Sequence, residues 1–291
     1  MNEDQTVNKN LNFEEFFHAI LKEDRVRRII PMNYWDGKTI KEPDTYKDIS
    51  VCTTCMDRLN DVSLTLKQNI IDNIDYKGKL EFVLLDYNSQ DSLSEWIKNN
   101  MMEYIERGTL VYFRTDEPKY YSMSHSRNVA FKLATGHIIN SVDADNYIGK
   151  GFINKINWLS FQQPEKAVFV KGRRMLRGRL GFYRDEFINL LGGYSELLGY
   201  IGYGTEDHDI LYRSCGLGFK IMWFGGDYYK GVENSFKHQV GNFKNKDWKY
   251  SEKLNKLVSF FNIFYKRYNG NLYSDWGKAR VIKNFKEEII L

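Results

Sequence analysis

Two aspartates one residue apart, Asp143 and Asp145, close the apolar run of HIINSVDADN at positions 137–146. Bare carboxylates that close repel each other, so a compensating positive charge is required. Along an extended segment residues i and i+2 face one side, which would let both carboxylates reach a single cation. A hard divalent ion such as Mg²⁺ or Mn²⁺ takes oxygen ligands and leaves positions for phosphate. A solvated turn after a strand uses the same residue types and is the competing reading.

Other groups along the chain could supply the rest of a site. Asp86 ends a strand in LLDYNSQDS, where its carboxylate could accept from the imide N–H of a uracil or simply cap the strand. Arg127 and Asn128 in SHSRNVAF stand near a helix start, able to meet a diphosphate or to face water. GYGTEDHDILYR, residues 202–213, bunches Glu206, Asp207 and Asp209 at a helix start behind glycines. Three acids exceed what a helix dipole asks for, and they favour a general base. His238 in NSFKHQVGN is a lone histidine, structural or ligating, whereas His18, His125 and His137 read as structural. Tyr194, Tyr200 and Tyr203 could stack on sugar rings or pack, and Trp223 in an apolar strand reads as core. CTTC at 52–55 lacks the second cysteine pair of a structural zinc site and reads as two small residues at a strand end.

The elements that must position these residues follow from the hydrophobic period. Strands are expected over 48–54, 79–87, 109–115 and 137–142, with helices over 58–74, 91–105 and 124–135 between them. Strict strand–helix alternation predicts an α/β fold with a mostly parallel sheet flanked by helices. Ligands in such sheets sit beyond the carboxyl ends of the strands, which is where Asp86, Asp143 and Asp145 fall. After residue 150 the alternation fades into Arg-bearing strands (166–187), a glycine-rich segment (191–218) and a strand at 219–224. At the other end FEEFFHAILKEDRVRRII, 13–30, is amphipathic and is followed by a linker.

Composition narrows the function classes. With 291 residues, 42% hydrophobic and 15% aromatic, the chain can bury a large core. A net charge of +4 falls short of a nucleic-acid binder. No apolar run approaches the ~20 residues that span a bilayer. The polar start MNEDQTVNKN is unlike a secretory signal, and three cysteines, an odd number, make no disulfide framework, so a reducing cytoplasm is expected. The basic, aromatic C-terminal tail reads as a solvated helical face, with a peripheral seat on the inner face of a membrane as the alternative.

In their order and spacing, ISVCTTCMDR, EFVLLDYNSQD, SRNVAFKLATGHIINSVDAD and GGYSELLGYIGYGTEDHDILYR resemble an inverting, nucleotide-sugar-dependent glycosyltransferase of the GT-A fold. The first three pieces are similar to the large bacterial family 2. The EDHD piece with His238 is similar to the C-terminal half of β-1,4-galactosyltransferases and chondroitin-polymerase-type enzymes. The likeness spans about residues 48–245. It implies a donor-binding half over 47–150 and an acceptor-binding, catalytic-base half over 151–250. An N-terminal helical extension with linker (1–46) and a C-terminal helical tail (251–291) lie outside it.

The resemblance also implies roles. Asp145 binds Mn²⁺ or Mg²⁺, Asp143 holds the ribose beside it, and His238 is a third metal ligand. Asp86 meets the uracil, and Thr53 and Arg58 lie in the first nucleotide-contacting loop. Asp207 is the catalytic base, with Glu206 beside it at the acceptor sugar. The implied substrates are a UDP-sugar, galactose-type favoured, and a glycan acceptor: polysaccharide, lipid-linked oligosaccharide or glycoprotein. Tyr87 after Asp86, and Tyr203 in place of a tryptophan, depart from the pattern. A metal-dependent sugar nucleotidyltransferase is one rival, although VCTTCMDRLN has no glycine for a phosphate loop. A non-catalytic sugar-binding subunit on the same fold is the other.

Overall fold

The computed structural model describes residues 45–171, 179–232, 240–272 and 274–291. Nearly all of the N-terminal extension, and His238, lie outside the described residues.

The first half alternates as expected: β1 (Ile49–Cys55), α1 (Leu59–Ile71), β2 (Leu80–Tyr87), α2 (Leu93–Asn100), α3 (Met102–Glu106), β3 (Leu110–Thr115), α4 (Met123–Leu133) and β4 (Ile138–Ser141). The helix expected over 91–105 is two, broken at Met101. Ser122 caps α4 by accepting from the His125 backbone N–H, at 3.3 Å. β1 pairs in parallel with β2 on one side and β4 on the other, so the strand order reverses beside β1. Each strand feeds two cores by its period of two. Val51, Phe82 and Leu84 pack on one face of the sheet, and Cys52, Val83 and Leu85 on the other.

Then follow β5 (Asn146–Tyr147), α5 (Phe152–Gln162), β6 (Ala167–Lys171), β7 (Leu180–Tyr183), α6 (Arg184–Asn189), α7 (Glu196–Ile201), α8 (Glu206–Gly216), β8 (Lys220–Phe224), β9 (Lys230–Gly231) and α9 (Trp248–Phe264). The chain closes with β10 (Arg280–Lys283) and β11 (Glu287–Ile290). Among the described residues the main sheet runs β11-β10-β3-β2-β1-β4-β7-β6-β8. β7 runs antiparallel to both β4 and β6, and extends the sheet under the glycine-rich segment. Only glycine fits at 181 in β7, because a Cβ there would lie 2.2 Å from Asn140 Oδ1.

The tail expected to be helical, 251–291, is helical only through Phe264. Its last residues form a hairpin whose β10 adds antiparallel to β3. Asn284 fixes that seam, donating its N–H to Tyr112 O at 2.7 Å and accepting from the Tyr112 N–H at 2.9 Å.

Candidate active site

Asp143 and Asp145 lie just past the end of β4, beside the point where strand order reverses. They are not extended: the Asn146 N–H donates to Asp143 O at 3.0 Å, closing a turn. The turn sends the two carboxylates to different arginines. Asp143 Oδ1 accepts from Arg127 at 3.0 Å, and Asp145 Oδ2 from Arg58 at 3.2 Å. These guanidiniums supply the compensation that the sequence demanded. Burial nevertheless pushes the Asp143 carboxyl above its usual range; Arg127 pulls it down and Asp145 pushes it up.

Arg127 is the centre of the arrangement. It projects from α4, is 4% exposed at its side chain, and donates from its other terminal nitrogen to Glu206 Oε1 at 2.9 Å. One buried cation therefore ties the turn after β4 to the first residue of α8. Its underside rests on the Tyr194 ring, 5.6 Å from the centroid. Tyr194 is fully buried and packs, so it is no sugar platform. Glu206 sits in a buried, like-charged pair with Asp207. Burial first and Asp207 second raise its carboxyl above the ordinary value, against the pull of Arg127.

Asp207 is 7% exposed, and its Oδ1 accepts from the His208 backbone N–H at 2.8 Å and lies 3.1 Å from His208 Nδ1. The residue ahead of the pair, Thr205, has φ 79°, the left-handed region that a β-branched side chain rarely enters. Strain of that kind concentrates at functional sites. Gly202 (φ 140°) and Gly204 (φ 98°) give the chain its approach to this corner. Tyr203 between them stands edge-on to Phe243, with ring centroids 5.6 Å apart. Its phenol is pushed up to about 12 by burial, then by Glu206 and Asp207.

The third acid of EDHD does other work. Asp209 and Arg213 are both fully buried and bond at 2.7 Å. Arg213 also donates to Leu191 O, Gly193 O and Tyr268 O, stapling the glycine-rich loop to the segment after α9. Breaking such a pair strands a buried charge. Asp209→Ala is expected to cost about 3–5 kcal/mol in urea unfolding while turnover per folded molecule stays within a few-fold. Loss of turnover at unchanged stability would contradict this division of labour.

Not every expected site residue joins the cleft. Asn128 is fully buried and spends its amide on Tyr194 N–H, Tyr194 O and Glu196, so it holds the glycine-rich loop instead of a diphosphate. Arg127 has carboxylates as its partners in place of phosphate. Asp86 is buried and bonded on both oxygens: Oδ1 accepts from the Ser89 N–H, and Oδ2 from Tyr112 Oη and Arg114. The sheet register places Arg114 directly beside it. Asp86 thus orients Arg114 and the loop after β2, and a base could meet it only by exchanging one of these partners. Thr53 is buried in β1, and it is Thr54 that meets Tyr121 Oη at 2.7 Å and Ser126 Oγ at 3.2 Å. Arg58 lies at the expected loop, between Asp61 and Asp145.

Arg114, Tyr121, Arg179 and His208 were not singled out in the sequence. Arg179 meets Asn146 beside the turn, and only the fold brings it there. His208 could have been found, since it lies inside EDHD. Cys52 and Cys55 are buried in opposite cores, and burial raises both thiols, in keeping with a structural role. His125 sits 2.7 Å from Tyr87 Oη and 2.9 Å from Lys278 O, which ties α4 to the C-terminal segment.

Two carboxylates at a turn, both hard oxygen donors, suit an ion that completes its shell with water and phosphate. Among the described residues no group of three or more His, Cys, Asp or Glu side chains forms a closed metal cage. The donor set fits a substrate-completed divalent site once the ion takes the place of the Arg58 and Arg127 contacts on the two carboxylates.

No protein-family model matches the chain, and no curated protein matches its sequence. Solved structures do match. S. aureus TarS 1–349 in complex with UDP-GlcNAc superposes with a TM-score of 0.58 at 17% identity, over 75% of this chain and 69% of that one. The mannosyltransferase PcManGT from Pyrobaculum calidifontis, in complex with GDP-Man and Mn²⁺, gives 0.58 at 19%, over 87% and 77%. GalNAc-T7 with UDP, GalNAc and Mn²⁺ gives 0.51 at 16%, over 62% and 43%. At these identities the likeness is one of fold: the chain has the GT-A glycosyltransferase fold.

Proposed function

We propose that the protein is an inverting, metal-dependent glycosyltransferase that moves a hexose or N-acetylhexosamine, galactose-type favoured, from a UDP-sugar to a glycan hydroxyl. The observation that carries this reading is Arg127, which joins Asp143 of the DAD turn to Glu206 of the acid pair in one cluster. Of the fold neighbours, TarS 1–349 is in complex with UDP-GlcNAc, PcManGT with GDP-Man and Mn²⁺, and GalNAc-T7 with UDP, GalNAc and Mn²⁺.

Asp145, with Asp143, would hold the divalent ion, which when bound neutralises charge on a diphosphate leaving group. The chain's own residues do the rest. Asp207 accepts the proton of the acceptor hydroxyl as its oxygen bonds to the anomeric carbon. The bond from that carbon to the diphosphate oxygen breaks in the same displacement, and its electron pair leaves with UDP. Attack from the face opposite the leaving group inverts the centre, and no enzyme nucleophile is required. Glu206, anchored by Arg127, borders the acceptor sugar, and Tyr203 offers it a ring. Arg58 and Arg127 hold the acidic turn together before the donor arrives. The acceptor is a surface polysaccharide, a lipid-linked oligosaccharide or a glycoprotein, and the setting is cytoplasmic.

A UDP-sugar panel with Mn²⁺, read by UDP release and by NMR of the product linkage, tests this. Turnover is expected with one or two donors, and chelation by EDTA should abolish it until Mn²⁺ is restored. Pyrophosphate-forming activity would favour the nucleotidyltransferase instead. Donor binding without turnover across acceptors would point to a binding subunit, and neither binding nor turnover would sink the proposal.

A further inference from the structure

Arg179 stands just ahead of β7, half-buried beside the turn that carries Asp143 and Asp145. A guanidinium keeps its charge, and drawing that charge out of water is costly unless an anion offsets it. The other described arginines that are not exposed, Arg58, Arg114, Arg127, Arg184 and Arg213, each have a carboxylate within ion-pair distance. Arg179 has only neutral partners among the described residues: its terminal nitrogens donate to Asn146 Oδ1 and, at 3.4 Å, to Tyr229 O. Its Nε is closed off from water and has no acceptor among the described residues.

Several elements hold this guanidinium in place. The Tyr229 ring lies against it, with its centroid 4.9 Å away, and the Tyr229 phenol donates to Ser141 O at the end of β4, at 3.1 Å. Tyr229 takes φ 60°, the left-handed region that a bulky residue rarely enters, and strain of that kind concentrates at functional sites. Asn146 turns its side-chain oxygen to Arg179 and donates from its side-chain nitrogen to Asp145 Oδ1 at 2.7 Å. One amide therefore links the guanidinium to the carboxylate proposed to hold the ion. Asn146 is itself fixed opposite Gly231 by the pairing of β5 with β9, and Asn69 donates to its backbone O at 2.9 Å. The charge of Arg179 also reaches Asp143, where burial raises the carboxyl and Arg127, then Arg179, draw it back.

We propose that Arg179 is a further donor-binding residue, whose guanidinium meets a phosphate oxygen of the nucleoside diphosphate at the DAD turn. The proposal rests on the reading of that turn as the donor site. A guanidinium with unspent N–H groups can take a phosphate oxygen and still keep Asn146 Oδ1 and Tyr229 O. Arg58 and Arg127 would first have to exchange a carboxylate. Placed there, Arg179 shares with the ion the negative charge that grows on the leaving diphosphate.

The test compares the full-length parent with Arg179→Met and Arg179→Lys, by calorimetry with UDP at low and at saturating Mn²⁺ and by NMR titration with uridine. Arg179→Met is expected to bind UDP about 10–100-fold more weakly at both Mn²⁺ levels, the effect of losing one charge-assisted bond. Its uridine affinity and melting temperature should stay as in the parent. Arg179→Lys should return to within about fivefold of the parent, because an ammonium supplies the charge without the fork. Unchanged UDP affinity in Arg179→Met would overturn the proposal, and a raised KM for a phosphate-bearing acceptor would then give the guanidinium to the acceptor. A loss confined to low Mn²⁺ would also overturn it, since Arg179 would be acting through Asn146 on Asp145 and the metal. So would an equal loss for uridine, the mark of a disturbed pocket. A parent that binds neither UDP nor uridine removes the donor reading itself, a result distinct from a variant that binds UDP as well as its parent does.

Discussion

Asp207→Asn is expected to bind UDP as the parent does and to transfer sugar about 10²–10⁴-fold more slowly. The carboxamide has the shape of the carboxylate, and its oxygen can still accept from the His208 backbone N–H that Asp207 Oδ1 now occupies. What it lacks is the capacity to take a proton. The donor side is untouched, because Arg127 bridges Asp143 to Glu206 and not to Asp207. Loss of rate at constant affinity is the signature of an interaction made only in the transition state. Glu206→Gln should behave differently: it weakens the anchor of Arg127, and donor affinity and rate should fall together. Calorimetry with UDP and single-turnover UDP release separate the two. Unchanged turnover in Asp207→Asn would remove that residue as the base.

The parallel half of the sheet was legible because its strands are apolar on both faces and its helices keep a 3.6-residue period. β2, LEFVLLDY, could hardly be anything else once covered on both sides. β10 and β11 carry no such signal. They are four residues each, half exposed, and EEII gains its strand identity only from its place beside a neighbour at the sheet edge. The acidic positions of the cleft were visible in DAD and EDHD, but their partners were not. All three clustered acids are buried, and which of them turns to His208 and which to a buried arginine is decided by helix phase and by residues far off in the chain. Asp209 finds Arg213 one turn on, whereas Glu206 finds Arg127, 79 residues earlier. Asn128 shows the same limit. Its neighbour Arg127 reaches the cleft, yet one step of 100° around α4 sends Asn128 to the backbone of Tyr194.

Arg127→Met should cost the fold about 3–5 kcal/mol, since methionine keeps much of the packing but strands Asp143 and Glu206 without their shared cation. The lower end applies, because the Asp143 side chain is 31% exposed and water screens part of the loss. A domain of this size should then melt roughly 6–12 °C lower. The pH dependence distinguishes stranded charge from lost packing. Asp143 and Glu206 already have raised carboxyl pKa values in the folded protein, for which burial is the first cause. A carboxyl raised on folding binds its proton more tightly folded than unfolded. Its contribution is therefore fully present below the unfolded value and is lost as pH rises through the folded one. Removing Arg127 takes away the group that pulls both values down, so both rise further and the pH-dependent loss deepens. Arg127→Met should thus be furthest below the parent near pH 7 and approach it as the medium is acidified toward pH 4–5, about where carboxylates titrate when unfolded. Adding Glu206→Gln to Arg127→Met should recover part of the loss at pH 7, because one of the two stranded charges is gone. A deficit that stays constant between pH 5 and 7 would mean that Arg127 holds the cleft by its packing on Tyr194 and not by joining the two carboxylates.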